Sequence, residues 1–203
     1  MLHRGKLECI LARLESTGNG LFSRILNGYD QSKKDIIINV DCPPGDTTAS
    51  GQTIDELLGR VGILEIYVHP DQFENMAVYP LRPAATILHE ACHALIALNV
   101  LRAGDPSRCT WLSYNHYFAH YGRVDDTDEC IIARNFIEEQ ADLLRAYNYE
   151  YMSRKNYLGS TWTPYFGSFK DCNDAVNYTQ SQMSSWYLEM RDSNPNPFPC
   201  IND

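Results

Sequence analysis

The chain has 203 residues, 44% of them hydrophobic and 21% charged, enough apolar material to bury a substantial core in one domain. Its formal net charge of −9 argues against a nucleic-acid surface, which needs clustered Lys and Arg to neutralise phosphates. In the N-terminal MLHRGKLECILARLESTGNG charged residues interrupt every apolar run, which excludes a secretory signal and a membrane span there. A soluble protein with no membrane partner is expected, cytoplasmic or exported without a cleaved signal peptide. Seven scattered cysteines (Cys9, Cys42, Cys92, Cys109, Cys130, Cys172 and Cys200) form no Cys-x-x-Cys pair, so the expectation is reduced thiols rather than a disulfide framework.

Residues 1–18 are predicted to form a short amphipathic helix, with Leu7, Ile10, Leu11 and Leu14 at helical spacing and Gly18 and Gly20 ending it. After Leu21 to Leu26, Gly28 reads as a turn. The β-branched run Lys34 to Val40 reads as a strand, and Asp41 to Thr53 as a loop. Ile54 to Val61 reads as a short helix begun at Thr53 or Asp55. Ile63 to His69 reads as a second strand, stopped by Pro70, and a loop or helical turn through Phe73 and Met76 leads into residues 83–104, PAATILHEACHALIALNVLRAG. Pro83 suits the first turn of a helix and Gly104 the position past its end. The residues between them leave almost no polar face, so this helix should be buried on most sides. An aromatic stretch follows, from Trp111 to Gly122. Asp125, Asp126, Thr127 and Asp128 then cap a second long helix, from about Glu129 to Met152. Beyond it the chain is rich in Tyr, Asn, Ser and Gly. A further helical stretch is expected around Ala175 to Met190, then an extended tail at Asn194 to Pro199. The Asn177-Tyr178-Thr179 sequon is read as incidental.

These elements describe an α+β fold with a small sheet beside the helix of residues 83–104 and a helix-rich C-terminal half. The expected organisation is one domain: a strand-and-helix part (about 1–82), two long helices (about 83–152) and an aromatic-rich extension (about 153–203).

The helix carries His89-Glu90-Ala91-Cys92-His93. Histidines at i and i+4 share one helix face, so both imidazoles can reach one metal ion, while Glu90, about 100° around, can reach a water on it. Zn²⁺ held by three protein ligands keeps a position for water, lowers its pKa towards ~7 and polarises a carbonyl. For the third ligand the sequence offers Glu138, with Asp142 one turn on to orient a ligand histidine, or His116 or His120 of the aromatic stretch, or Glu139. Cys92, offset from both histidines, reads as a small hydrophobe. Tyr114, Tyr117, His120, Tyr147 and Tyr149 are candidates for stabilising an oxyanion.

His89-Glu90-x-x-His93, followed by a helix with Glu138-x-x-Ala141-Asp142, resembles the zincin superfamily of zinc metallopeptidases, in particular its gluzincin branch. The match spans roughly residues 84–146. The resemblance implies His89, His93 and Glu138 as zinc ligands, Glu90 as general base and Asp142 as partner of a ligand histidine. It departs from the gluzincin pattern where Ile137 precedes the glutamate. The chain is also similar to small bacterial zincin-like proteins, SprT-like and toxin-associated ones among them, in some of which the third ligand is His. The expected function is therefore a zinc-dependent endopeptidase acting on a protein or peptide substrate through a metal-activated water. An effector or toxin protease with a protein inhibitor is the biological variant. The alternative is an inactive module that metal merely stabilises.

Overall fold

The computed structural model describes residues 3–18, 20–44, 48–58, 60–74, 76, 79–103, 128–148, 152–161, 178–193 and 200. In chain order the elements are α1 (Arg4–Ser16), α2 (Leu21–Gln31), β1 (Asp35–Val40), β2 (Gly51–Ile54), β3 (Ile63–Val68), α3 (Asp71–Glu74), α4 (Arg82–Ala103), α5 (Asp128–Tyr147), α6 (Arg154–Thr161) and α7 (Gln180–Ser193). This is a mixed α+β architecture. Expectations that fall on Gly104, the aromatic stretch with His116 and His120, the caps at 125–127, Tyr149, Asn177 and the tail at 194–199 lie outside the described residues.

β3 is the middle strand, parallel to β1 in the register Asp35↔Ile63 to Val40↔Val68 and antiparallel to β2 in the register Gly51↔Val68 to Ile54↔Glu65. Leu64, Ile66 and Val68 alternate inward and are fully buried, while Ile63, Glu65 and Tyr67 face the other side. Two expectations are corrected here, the loop running to Thr53 and the helix over Ile54 to Val61, because Gly51–Ile54 form β2. Gln52, Thr53 and Ile54 pair with β3 instead, and the carbonyl of Leu57 then accepts the N–H groups of Arg60, Val61 and Gly62 in a tight turn that Gly62 closes at φ +80°. Pairing with a neighbouring strand overrides a weak local preference.

α4 lies at the centre of one contiguous core running from Leu7 to Cys200. α2 crosses it where Gly28 meets Leu98; a Cβ on Gly28 would stand 3.3 Å from Leu98 Cδ2. The turn expected at Gly28 is thus part of a helix, whose Leu21, Phe22, Ile25 and Tyr29 are buried. Tyr29 donates a buried hydrogen bond of 2.8 Å to the Ala94 carbonyl, fixing the crossing. α6 was not expected from its polar sequence. Asn156 to Thr161 are all buried, and Gly159 lets the backbones of α6 and α7 nearly touch, since a Cβ there would come 2.5 Å from the Tyr187 nitrogen. Tertiary packing supplies what helix propensity does not.

The expectation of reduced thiols is also corrected. Cys9 on α1 and Cys200, 191 residues apart, form a disulfide with Cα atoms 5.7 Å apart, and Cys130 is disulfide-bonded as well. Packing the two ends of the chain side by side creates a pairing that no local spacing reveals. Among the described residues, no helix is long and apolar enough to cross a membrane.

Candidate metal centre

The apolar character of α4 buries His89 and leaves His93 partly buried. Ala85, Leu88, Ala91, Cys92, Ala94 and Ile96 are at most 1% exposed, and His89 and Glu90 among them are only 3% and 5% exposed. One helical turn brings His89 Nε2 and His93 Nε2 to 3.2 Å, with ring centroids 4.8 Å apart. Two ligands about 2.05 Å from a tetrahedral zinc stand about 3.3 Å apart, so the pair has the bite that ion requires. Imidazole nitrogen is also a donor that zinc accepts readily. The same separation suits a hydrogen bond between the two rings in the absence of metal.

Glu90 is held by β2. The Thr53 hydroxyl lies 2.9 Å from Glu90 Oε2 and 2.9 Å from the Glu90 carbonyl oxygen, and donates its single proton to one of them at a time. Gly51 sits where β2 presses on α4. A Cβ there would come 2.7 Å from Thr86 Cγ2 and 3.0 Å from both Cγ and Oε1 of Glu90. Neither Thr53 nor Gly51 stood out in the sequence, since each meets Glu90 across more than thirty residues; the one available sign was a glycine at the head of a β-branched pair.

Glu138 is placed differently. On α5 the residues facing the core are Ile137, Gln140, Ala141 and Leu144, and the Gln140 amide donates to Cys92 Sγ of α4 at 3.2 Å. At about 100° per residue, Glu138 and Asp142 lie about 160° from Gln140, on the far side of α5. Both are about half exposed and share one cation: Arg154 pairs with Glu138 Oε2 at 2.5 Å and with Asp142 Oδ1 at 2.7 Å. Tyr178 donates to Glu138 Oε1 at 2.7 Å. The hydrogen bond to Asp142, then that to Glu138, holds Arg154 well above its ordinary pKa, and the bond to Glu138 raises that of Tyr178. Glu139 is likewise engaged, by both guanidinium nitrogens of Arg24 at 2.8 and 2.9 Å. Among the described residues no third His, Cys, Asp or Glu completes a metal-holding group with His89 and His93. The structure thus brings together His89, Glu90 and His93 and does not bring Glu138 to them.

Cys92 faces Gln140, not the histidines. Burial pushes its thiol far up, so it stays protonated and packs as a small apolar group. No family model, curated protein or solved structure matches the chain. The chemistry available at the site therefore rests on its own geometry: two convergent imidazoles and one oriented carboxylate on a buried helix, flanked by an edge strand.

Proposed function

We propose that the chain is a zinc-dependent peptidase in which His89 and His93 hold the metal and Glu90 handles the proton. The observation that carries this reading is the 3.2 Å convergence of the two Nε2 atoms, with the carboxylate of the intervening Glu90 held by Thr53. When bound, zinc would supply Lewis acidity to a scissile carbonyl and to the attacking water. Glu90 takes the proton from that water and returns it to the leaving amine. With Thr53 on Oε2, Oε1 is the oxygen left for that transfer. The engagement of Glu138 by Arg154 and Tyr178 favours His116 or His120 as the third ligand, because Glu138 would first have to leave two partners.

The test is a pair of measurements on one set of variants. His89→Ala and His93→Ala should lose bound zinc and cleavage of an unfolded protein substrate together. Glu90→Gln should keep zinc and its thermal stabilisation while losing cleavage. Zinc bound by the wild type with no hydrolysis of any denatured protein would favour the second reading, a metal-stabilised module without activity.

A further inference from the structure

We propose that Cys42, His69 and Asp71 form a second reactive site, in which Cys42 exchanges with small-molecule disulfides. β1 and β3 are parallel and in register to Val40↔Val68, so the segments that follow them leave the sheet from the same end. This brings Cys42 Sγ to 3.7 Å from His69 Nε2. On the other side of the ring, Nδ1 accepts the Asp71 backbone N–H at 3.2 Å and lies 3.6 Å from Asp71 Oδ2. A nucleophile within reach of an imidazole that a third group orients marks a candidate reactive thiol.

The tautomer follows from the contacts. With the Asp71 amide donating to Nδ1, the neutral ring carries its proton on Nε2, facing the sulfur. If the ring takes a second proton, Nδ1–H faces the Asp71 carboxylate instead, and Nε2–H still faces the sulfur. In both states an N–H points at Sγ and can donate to the sulfur as it attacks. The backbone holds this arrangement: His69 N–H donates to the Ser50 carbonyl at 2.9 Å, and Cys42 N–H to Asp41 Oδ1 at 2.8 Å. Cys42 is exposed and outside any disulfide, whereas Cys92, the other free thiol among the described residues, is buried.

The reaction is thiol–disulfide exchange. Cys42 gives its proton to solvent, and its sulfur attacks one sulfur of a disulfide RS–SR. The new S–S bond forms as the old one breaks, and RS⁻ leaves and takes up a proton. Cys42 is oxidised and one RS group reduced, so the step balances. Closing the Cys9–Cys200 bond itself requires a thiol oxidant, so the reagent belongs to a class this chain already needs. The Asp41 carboxylate accepts the Cys42 N–H and Asp71 lies across the imidazole, so a cationic disulfide is favoured over an anionic one.

The experiment incubates the full-length native chain with cystamine, glutathione disulfide or neutral dithiodipyridine, and locates and times the adducts by peptide mass. Among the described cysteines a single adduct, at Cys42, is expected, faster with cystamine than with glutathione disulfide, the gap closing at high salt. With dithiodipyridine, His69→Ala should slow the reaction about ten-fold and Asp71→Asn about three-fold. Equal rates in the wild type and His69→Ala, or adducts that bypass Cys42, would overturn the proposal. Should His69→Ala unfold, seen as labelling of Cys92, the exposed Asp71→Asn substitution decides: a slower Cys42 upholds the site and an unchanged one overturns it.

Discussion

Gly51→Ala isolates the contact between β2 and Glu90. Gly51 does not occupy the left-handed region, so alanine meets no backbone strain and any effect must come from its added methyl group. That methyl would lie 2.7 Å from Thr86 Cγ2 and 3.0 Å from Glu90 Cγ and Oε1, and Thr86, β-branched and 1% exposed, cannot rotate out of the way. Relief therefore requires β2 or Glu90 to shift by several tenths of an ångström. Overpacking of this kind costs about 1–3 kcal/mol, which for a chain of this size lowers Tm by about 2–12 °C. On the function proposed above, displacing the Glu90 carboxylate is more damaging to rate: a loss of about 10- to 100-fold in kcat is expected, with zinc content unchanged. The assay pairs a thermal melt with zinc content and cleavage of a denatured protein. Wild-type melting together with wild-type cleavage would refute the contact as drawn.

Thr53→Val keeps the shape of the side chain and removes the hydroxyl that donates to Glu90; cleavage should fall with zinc content unchanged, and the lost bond to a charged group costs about 1.5–3 kcal/mol, read in a urea melt. Cys200→Ser opens the Cys9–Cys200 link and should destabilise the chain by about 2–5 kcal/mol, matched by mild reduction of the wild type only if that bond is the one reduced, as peptide mapping would show. Burial pushes the Tyr187 hydroxyl up to about 12, so the neutral form is favoured in the folded state. Because the folded value lies above the unfolded value near 10, its contribution is complete below about pH 10 and is lost as pH rises through about 12; Tyr187→Phe should flatten the stability profile across that window.

The elements legible in the sequence are those whose partners do not matter to their identity. Leu7, Ile10 and Leu14 mark one face of α1 whatever it packs on, and the β-branched runs of β1 and β3 signal strands by themselves. α2, β2 and α6 escaped because each is defined by a neighbour: Gly28 by Leu98, Gln52 to Ile54 by β3, and Gly159 by the α7 backbone. The site divides the same way. His89, Glu90 and His93 lie within one helical turn and a half, so their geometry is local and readable. The Thr53 bond and the disulfide are long-range, as any third ligand for the proposed metal must be. Glu138 shows how far spacing alone reaches, since on a correctly expected helix it and Asp142 are both engaged by Arg154. What turns their face outward is the set of apolar residues Ile137, Ala141 and Leu144, together with Gln140 against Cys92.

The central claim is that the two histidines of α4 bind zinc. It is tested most directly by elemental analysis of the full-length chain purified without added metal, for the wild type and for His93→Ala, Glu138→Ala, His116→Ala and His120→Ala. The account expects near-stoichiometric zinc in the wild type, none in His93→Ala, full retention in Glu138→Ala and loss in one of the two remaining histidine variants. A wild type that takes up no zinc, even after incubation with it, would contradict the account and leave His89 and His93 as a part-buried hydrogen-bonded pair.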